Sequence, residues 1–248
     1  MSLTIPNSSG AKMTAAQISN PRAAAFDVVR QFENALAEYT GAPHVVTVDS
    51  CTNAIFLSLL WWRESSRCKL VSLCSCHRGQ FDTCCEKCGS ELRVGLPRRT
   101  YVGVAQSALN AGFEIEWRDE QWKGWYVLTQ TPIVDSARRF HAGMYLPNLL
   151  ICVSFQIAKH LPIGRGGAIL TDNADTAAWL RRARFDGRTP GDNTAPIQMP
   201  GYHMYMTPPD ASRGLWLLSW MSRDNEDLRT DDYPDLSLIF GEPKGGLG

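Results

Sequence analysis

Ser154-Phe155-Gln156-Ile157-Ala158-Lys159-His160-Leu161-Pro162-Ile163-Gly164-Arg165-Gly166-Gly167-Ala168-Ile169-Leu170-Thr171 is the stretch whose reading decides the fold. It leaves an apolar run, Leu149 to Phe155, that reads as a buried strand, and it enters a second short apolar run after Gly167. Between the two runs lies a glycine-rich turn with one lysine, Lys159, beside Gly164, Gly166 and Gly167. Glycine lets backbone approach a ligand closely. A partly desolvated lysine held there has a lowered pKa and forms a Schiff base with an aldehyde. The ordinary reading of a lone loop lysine is a solvated surface charge, so the case for Lys159 rests on the rest of the chain.

Working outward, Val45 to Val48 reads as a strand, Asp49-Ser50-Cys51-Thr52-Asn53 as a small polar turn, and Ala54 to Trp62 as a helix. A strand, polar turn and helix in that order bring free N–H groups and hydroxyls to a helix N-terminus, an arrangement that binds phosphate. Ser and Thr are equally the common helix N-caps. Upstream, Phe26, Val29, Phe32, Leu36 and Tyr39 recur at helical spacing and Gly41 supplies the stop. Lys69 to Leu73 reads as a short strand, Ser107 to Ala111 as helix ended by Gly112, and Phe113 to Trp117 as a strand. Trp125 to Leu128 and Ile133 to Asp135 read as strands with almost nothing between them. Asp175 to Phe185 and Ala211 to Met221 read as helices, separated by a Gly-, Pro- and Asn-rich loop.

One segment stands apart. Cys74, Cys76, His77, Cys84, Cys85 and Cys88 lie within fifteen residues, in charged, turn-rich company. Cys85-x-x-Cys88-Gly89 has zinc-knuckle spacing, and Cys74, Cys76 and His77 are candidates for the remaining ligands. The expected ion is structural Zn2+ with every position filled by protein. The choice between Cys84 and Cys85, and among the first three, stays open.

The chain has 248 residues, 44% of them hydrophobic, enough for one large domain. Lys plus Arg and Asp plus Glu are 25 each, so no global charge drives it to nucleic acid or an anionic membrane. Local basic spots at Arg98-Arg99, Arg138-Arg139 and Arg181-Arg182-Ala183-Arg184 read first as solvated faces and leave polynucleotide contacts open. No apolar run reaches membrane-spanning length, and the first residues lack signal-peptide character, so a cytoplasmic chain is expected.

These stretches together resemble the DegT/DnrJ-type sugar aminotransferases, whose cofactor is pyridoxal 5'-phosphate (PLP). Ser154, Phe155, Lys159, Gly164, Gly166 and Gly167 match that family's S-F-H-x-x-K-x-x-x-x-G-E-G-G pattern, with Gln156 and Arg165 as departures. The resemblance implies that Lys159 holds the cofactor as an internal aldimine. It implies that Ser50, Cys51 and Thr52, in place of S-G-T, receive the phosphate with Ser154. It implies that Tyr101, from Thr100-Tyr101, stacks on the pyridine ring, and that Asp135, from Asp135-Ser136-Ala137, pairs with the ring nitrogen beside Ala137. Arg138 stands where that motif has His or Gln. Gly201-Tyr202-His203-Met204-Tyr205-Met206-Thr207 resembles a motif whose asparagine reaches across a homodimer; His203 takes that position.

The expected fold is therefore α/β, a reduced fold-type I PLP-dependent large domain with a mostly parallel or mixed sheet and helices on both faces. Its expected layout is a flexible arm over 1–20, a PLP domain over 21–222 interrupted by a zinc-knuckle insert over 74–98, and an acidic, later Gly- and Pro-rich tail over 223–248 in place of the family's C-terminal small domain. The expected function is aminotransfer between small-molecule donor and acceptor, with Lys159 and Asp135 as catalytic residues. One alternative is a PLP-dependent decarboxylase or related enzyme acting on an amino acid attached to a large substrate, such as a modified nucleic-acid base. Another is a non-catalytic zinc-binding interaction protein on an enzyme-like frame.

Overall fold

The computed structural model describes residues 24–73, 92–189, 194–230 and 233–241, with side chains omitted over 66–73. The first helix, α1 (Asp27–Thr40), ends as its sequence requires: Gly41 adopts φ 78° and donates its N–H to Ala37 O at 2.9 Å. Strand β1 (His44–Val48) follows, then α2 (Cys51–Leu73). Next come β2 (Arg93–Pro97), α3 (Val102–Asn110), β3 (Glu114–Arg118), β4 (Tyr126–Leu128), β5 (Ile133–Asp135), β6 (Leu150–Ser154) and β7 (Gly167–Thr171). The chain closes with α4 (Ala174–Ala183), α5 (Pro208–Leu218) and the single turn α6 (Ser237–Phe240).

Five strands form one sheet in the order β1-β7-β6-β5-β4, and β2 and β3 form a parallel pair beside it. The two are joined by an antiparallel bridge at Gly95 and Thr129. Of the two forms expected, mostly parallel or mixed, the sheet takes the mixed one. In the five-stranded sheet only β5 and β6 run parallel; β1–β7, β7–β6 and β5–β4 are antiparallel. A parallel neighbour needs a long crossover, whereas a short link permits only a hairpin. Thr129–Pro132 is such a link, with Gln130 in the left-handed region at φ 69°.

The sheet is covered on both faces, and strand residues alternate between two cores. Val45, Ile151, Val153, Ala168 and Leu170 face α1 and α5 with Val29, Phe32, Leu36, Ala211 and Leu218. Val46, Val48, Cys152 and Ile169 face the other way, with Ile55, Leu57 and Leu59 of α2, Val104 and Ala108 of α3, and Ala177 and Leu180 of α4. On the first face Phe32 is fully buried, tilts against Phe155 at 5.7 Å and lies over Gly214, where a Cβ would sit 2.6 Å from its ring.

Two expectations are revised. Lys69 to Leu73 is the end of α2, not a strand; a short apolar run fits either element by periodicity alone. Strand β2 falls inside the stretch assigned to the insert, because Val94 and Leu96 are core residues paired with β3. The proposed zinc ligands Cys74, Cys76, His77, Cys84, Cys85 and Cys88 lie outside the described residues, as does the arm over 1–20. Among the described residues no cluster of ligands able to hold a metal ion is present, and no helix is long and apolar enough to cross a membrane.

The segment after α5, expected to behave as a tail, is packed over its described residues. Arg139 donates from Nε and Nη2 to Asp227 at 2.8 and 2.6 Å, Leu228 N–H bonds Arg138 O at 2.9 Å, and Leu236 is fully buried. Trp117 Nε1 donates to Gly241 O at 2.7 Å. Its composition suggested disorder, but isolated apolar and aromatic residues anchor it to the sheet edge.

Truncating Phe32 removes a fully buried ring shared by two helices and the sheet. Phe32→Ala is expected to cost about 3–5 kcal/mol, read as a lowered urea midpoint with an unchanged m-value; a loss under about 1 kcal/mol would mean that this face of the sheet collapses without it.

Candidate active site

The site grows from three chain reversals at one end of the sheet. The first is the turn between β1 and α2. Ser50 caps that helix: Asn53 N–H donates to its Oγ at 3.1 Å and Ala54 N–H to its carbonyl at 3.0 Å. The second is the loop from β6 to β7, held by Lys159 N–H to Gln156 O at 2.9 Å and by Gly164 N–H to Phe155 O at 3.2 Å. Gly164 and Gly166 adopt φ 121° and 133°, and at Gly166 a side chain would also strike Met206. The third is the end of β5, where Asp135 Oδ1 accepts Ala137 N–H at 2.9 Å.

Gly167 locks the first reversal to the second. A Cβ there would lie 2.6 Å from Cys51 N and 2.7 Å from the Ser50 carbonyl carbon, so only glycine allows this approach. Ser50 bridges Gly166 in the same contact. Gly103, at the start of α3, acts similarly: a Cβ would meet the Tyr101 ring at 2.7 Å and Thr52 Oγ1 at 2.9 Å, so its absence lets those two side chains lie together. Ser107 Oγ then donates to Thr52 O at 3.1 Å, fastening α3 to the first turn of α2.

These reversals enclose a cavity of about 380 Å³. Ser50, Cys51, Thr52, Tyr101, Asp135, Ala137, Ser154 and Lys159 all line it. The structure thus brings the eight residues singled out from sequence to one place. Tyr101 is 52% exposed and Asp135 only 3%, so the tyrosine ring borders the opening and the carboxylate lies at the inner end. Burial raises the Asp135 carboxyl above the usual carboxylate range, and the Ala137 N–H, the Tyr126 hydroxyl, Lys159 and Arg138 all oppose that rise. Cys51 is buried, its thiol pushed well up by burial and by Asp135. Its side chain belongs to the core beneath α2.

Sequence reasoning missed part of the lining. Trp122 and Tyr233 stack at 6.0 Å, and the Arg138 guanidinium lies 4.9 Å over the Tyr233 ring while its Nε donates to Tyr233 Oη at 3.0 Å. Tyr233 comes from the packed C-terminal segment, which composition gave no reason to place here. Arg165 lines the mouth and pairs with Asp49 at 2.8 Å. His203 is not among the lining residues; it sits on the surface 3.3 Å from Asp186 and edge-on to Tyr205.

Because burial holds the Asp135 carboxyl high, its charge opposes folding. The unfolded chain releases this proton at lower pH than the native one, so stability falls as pH rises through that range. Cofactor-free Asp135→Asn is expected to melt above the parent protein, by a margin that grows as pH rises through the raised carboxyl range. A margin independent of pH would show that the charge carries no penalty.

Comparison with known proteins adds the lineage. The model of the DegT/DnrJ/EryC1/StrS aminotransferase family matches residues 11–68 and 148–230, more than half of the chain. Ser50, Cys51, Thr52, Ser154 and Lys159 lie within those segments; Tyr101, Asp135 and Ala137 lie between them. A search of curated protein sequences gives no match. Among solved structures, the sugar aminotransferase CalS13 from Micromonospora echinospora superposes with a TM-score of 0.57 at 16% identity, over 84% of this chain and 66% of that one. The ntda protein from Bacillus subtilis, solved with bound cofactor PMP, gives 0.55 at 16% identity, over 84% and 54%. Helicobacter pylori PseC, an aminotransferase involved in the biosynthesis of pseudoaminic acid, gives 0.53 at 14%, over 81% and 62%. The chain thus spans less than two thirds of the length of these structures, and at such identities they share its fold. With its family model matched on both sides of the central region, this chain belongs to the DegT/DnrJ/EryC1/StrS aminotransferase family.

Proposed function

We propose that the chain is a PLP-dependent enzyme acting on an amino group at Lys159, with aminotransfer as its reaction. The observation that carries the reading is the convergence of Lys159, Asp135, Tyr101 and the first turn of α2 on one cavity. The donor set fits PLP end to end: an amine for its aldehyde, a buried carboxylate for its ring nitrogen, an aromatic face for its ring, and hydroxyls with a helix N-terminus for its phosphate. When bound, the cofactor supplies an electron sink for the carbon that carries the amino group.

The protein's own part divides among the walls. Thr52, Ser50 and Ser154 offer hydroxyls to the phosphate, beside the backbone of Cys51. Ser50 Oγ accepts a helix N–H and donates to Asp49 Oδ1 at 3.4 Å, so it would turn its proton from Asp49 to serve the phosphate as a donor. Tyr101 covers one face of the ring and restricts water. Asp135 would hold a proton on the ring nitrogen, and in its buried place a pairing of opposite charges is stronger than in water. Lys159 Nζ would move the proton between the substrate carbon and the cofactor, as general base and then general acid. A small-molecule amino donor and acceptor, and a homodimer, complete the reading. Zn2+ on the Cys74, Cys76, His77, Cys85 and Cys88 cluster remains part of it on ligand spacing alone.

The test is the absorbance of the purified protein with added PLP, beside Lys159→Ala. A visible band in the parent that borohydride removes, and that the variant lacks, is the expected result. A parent protein without a band would overturn the reading. Release of carbon dioxide from amino substrates, without transfer of the amino group to a keto acid, would replace aminotransfer with decarboxylation.

A further inference from the structure

We propose that Tyr126 is the positioning residue for Asp135, and that Thr100 fixes the direction of its hydroxyl. The proposal rests on the cofactor reading above and adds a residue outside the cavity lining.

Its basis is the register of the shortened hairpin. Tyr126 and Asp135 are directly opposed partners in the antiparallel β4–β5 pair. Opposed residues in such a pair project from the same face with Cβ atoms about 5 Å apart, so they meet side by side. Both are buried, Tyr126 at 6% exposure, and the Tyr126 hydroxyl faces the Asp135 carboxyl closely enough to hold its pKa down. Tyr126 Oη also lies 2.7 Å from Thr100 Oγ1, and Thr100 is fully buried. Trp122 tilts against the Tyr126 ring at 4.8 Å and holds it in place.

Counting protons gives the chain a direction. An ionised carboxylate only accepts, so the single Tyr126 proton goes to Asp135. Thr100 must then donate to Tyr126 Oη. Asp135 thus receives Tyr126 O–H and Ala137 N–H, which leaves acceptor capacity for a ring nitrogen. The other groups facing this carboxylate are Lys159 and Arg138, which both hold its pKa down, and the Cys51 and Cys152 thiols. Burial keeps both thiols neutral, that of Cys152 pushed up to about 12. Tyr126 is the uncharged donor among them, and its own proton is held by burial and by Asp135. It supports the carboxylate charge without competing with the ring nitrogen for it.

The experiment uses the full chain with PLP carrying 15N in its ring, comparing the parent with Tyr126→Phe and Thr100→Val. The parent is expected to show a protonated ring nitrogen at neutral pH. Tyr126→Phe should move that 15N signal toward neutral pyridine and weaken PLP binding about tenfold, the loss of one hydrogen bond to a charged group. Thr100→Val should move the signal the same way by less, through a side chain that leaves Tyr126 in place. A 15N signal unchanged in both variants overturns the inference and leaves Tyr126 as packing, even with weakened binding. A parent that binds no PLP overturns the cofactor reading and this inference with it.

Discussion

Strand β7 and the first turn of α2 approach so closely that one added carbon at Gly167 would overlap the backbone of Ser50 and Cys51. That contact sets the rest of the site. It brings the N-terminus of α2, the end of a helix that carries partial positive charge, against the strand that receives the Lys159 loop, so both border one cavity. A side chain at Gly167 would force backbone, not a flexible tip, to give way, and packed backbone gives little. The glycines at 164 and 166 serve the loop's own turn; Gly167 serves the contact between two elements.

Much of this was legible in the sequence, and the rest was hidden for physical reasons. The β1–turn–α2 unit and the Lys159 loop announce themselves through local chemistry: apolar runs, small polar caps, and glycines where φ turns positive. Which strands of the mixed sheet run antiparallel did not, because pairing is set by the partner across space. The short Thr129–Pro132 link held the clue, since four residues cannot carry a parallel crossover. Strand β2 hid beside charged, turn-rich sequence, and the packed segment after α5 hid behind a composition typical of disorder. Leu236 and Tyr233 show why composition misleads there: with Asp227 they anchor an otherwise polar segment from a few separated positions. Tyr126 was read only as part of a strand, since its role appears once register sets it opposite Asp135.

The departures from the family pattern also find places. Cys51, where glycine is usual, is buried with the core under α2 and also lines the cavity. Arg165, where an acid is usual, is paired with Asp49 at the mouth. Arg138 stacks on Tyr233 and joins the C-terminal segment to the cavity rim. Arg165 and Arg138 are thus each held by a neighbour at the border of the cavity.

The pairing of β1 with β7 bears on how such a chain tolerates growth. Val45 lies across from Leu170, so nearly all the central chain is one closed loop between those strands. The entropy of closing a loop rises only with the logarithm of its length, about 0.6 kcal/mol for each doubling. A segment such as 74–91, between the end of α2 and β2, therefore lengthens a loop that is already long. It can be gained, lost or rebuilt there at little thermodynamic cost to the sheet. The same strand pairing makes folding slow to begin, because the contact that seats Gly167 joins parts of the chain far apart in sequence. A low cost of length in the middle of the chain and a high cost of first closure are two results of one long-range strand pair.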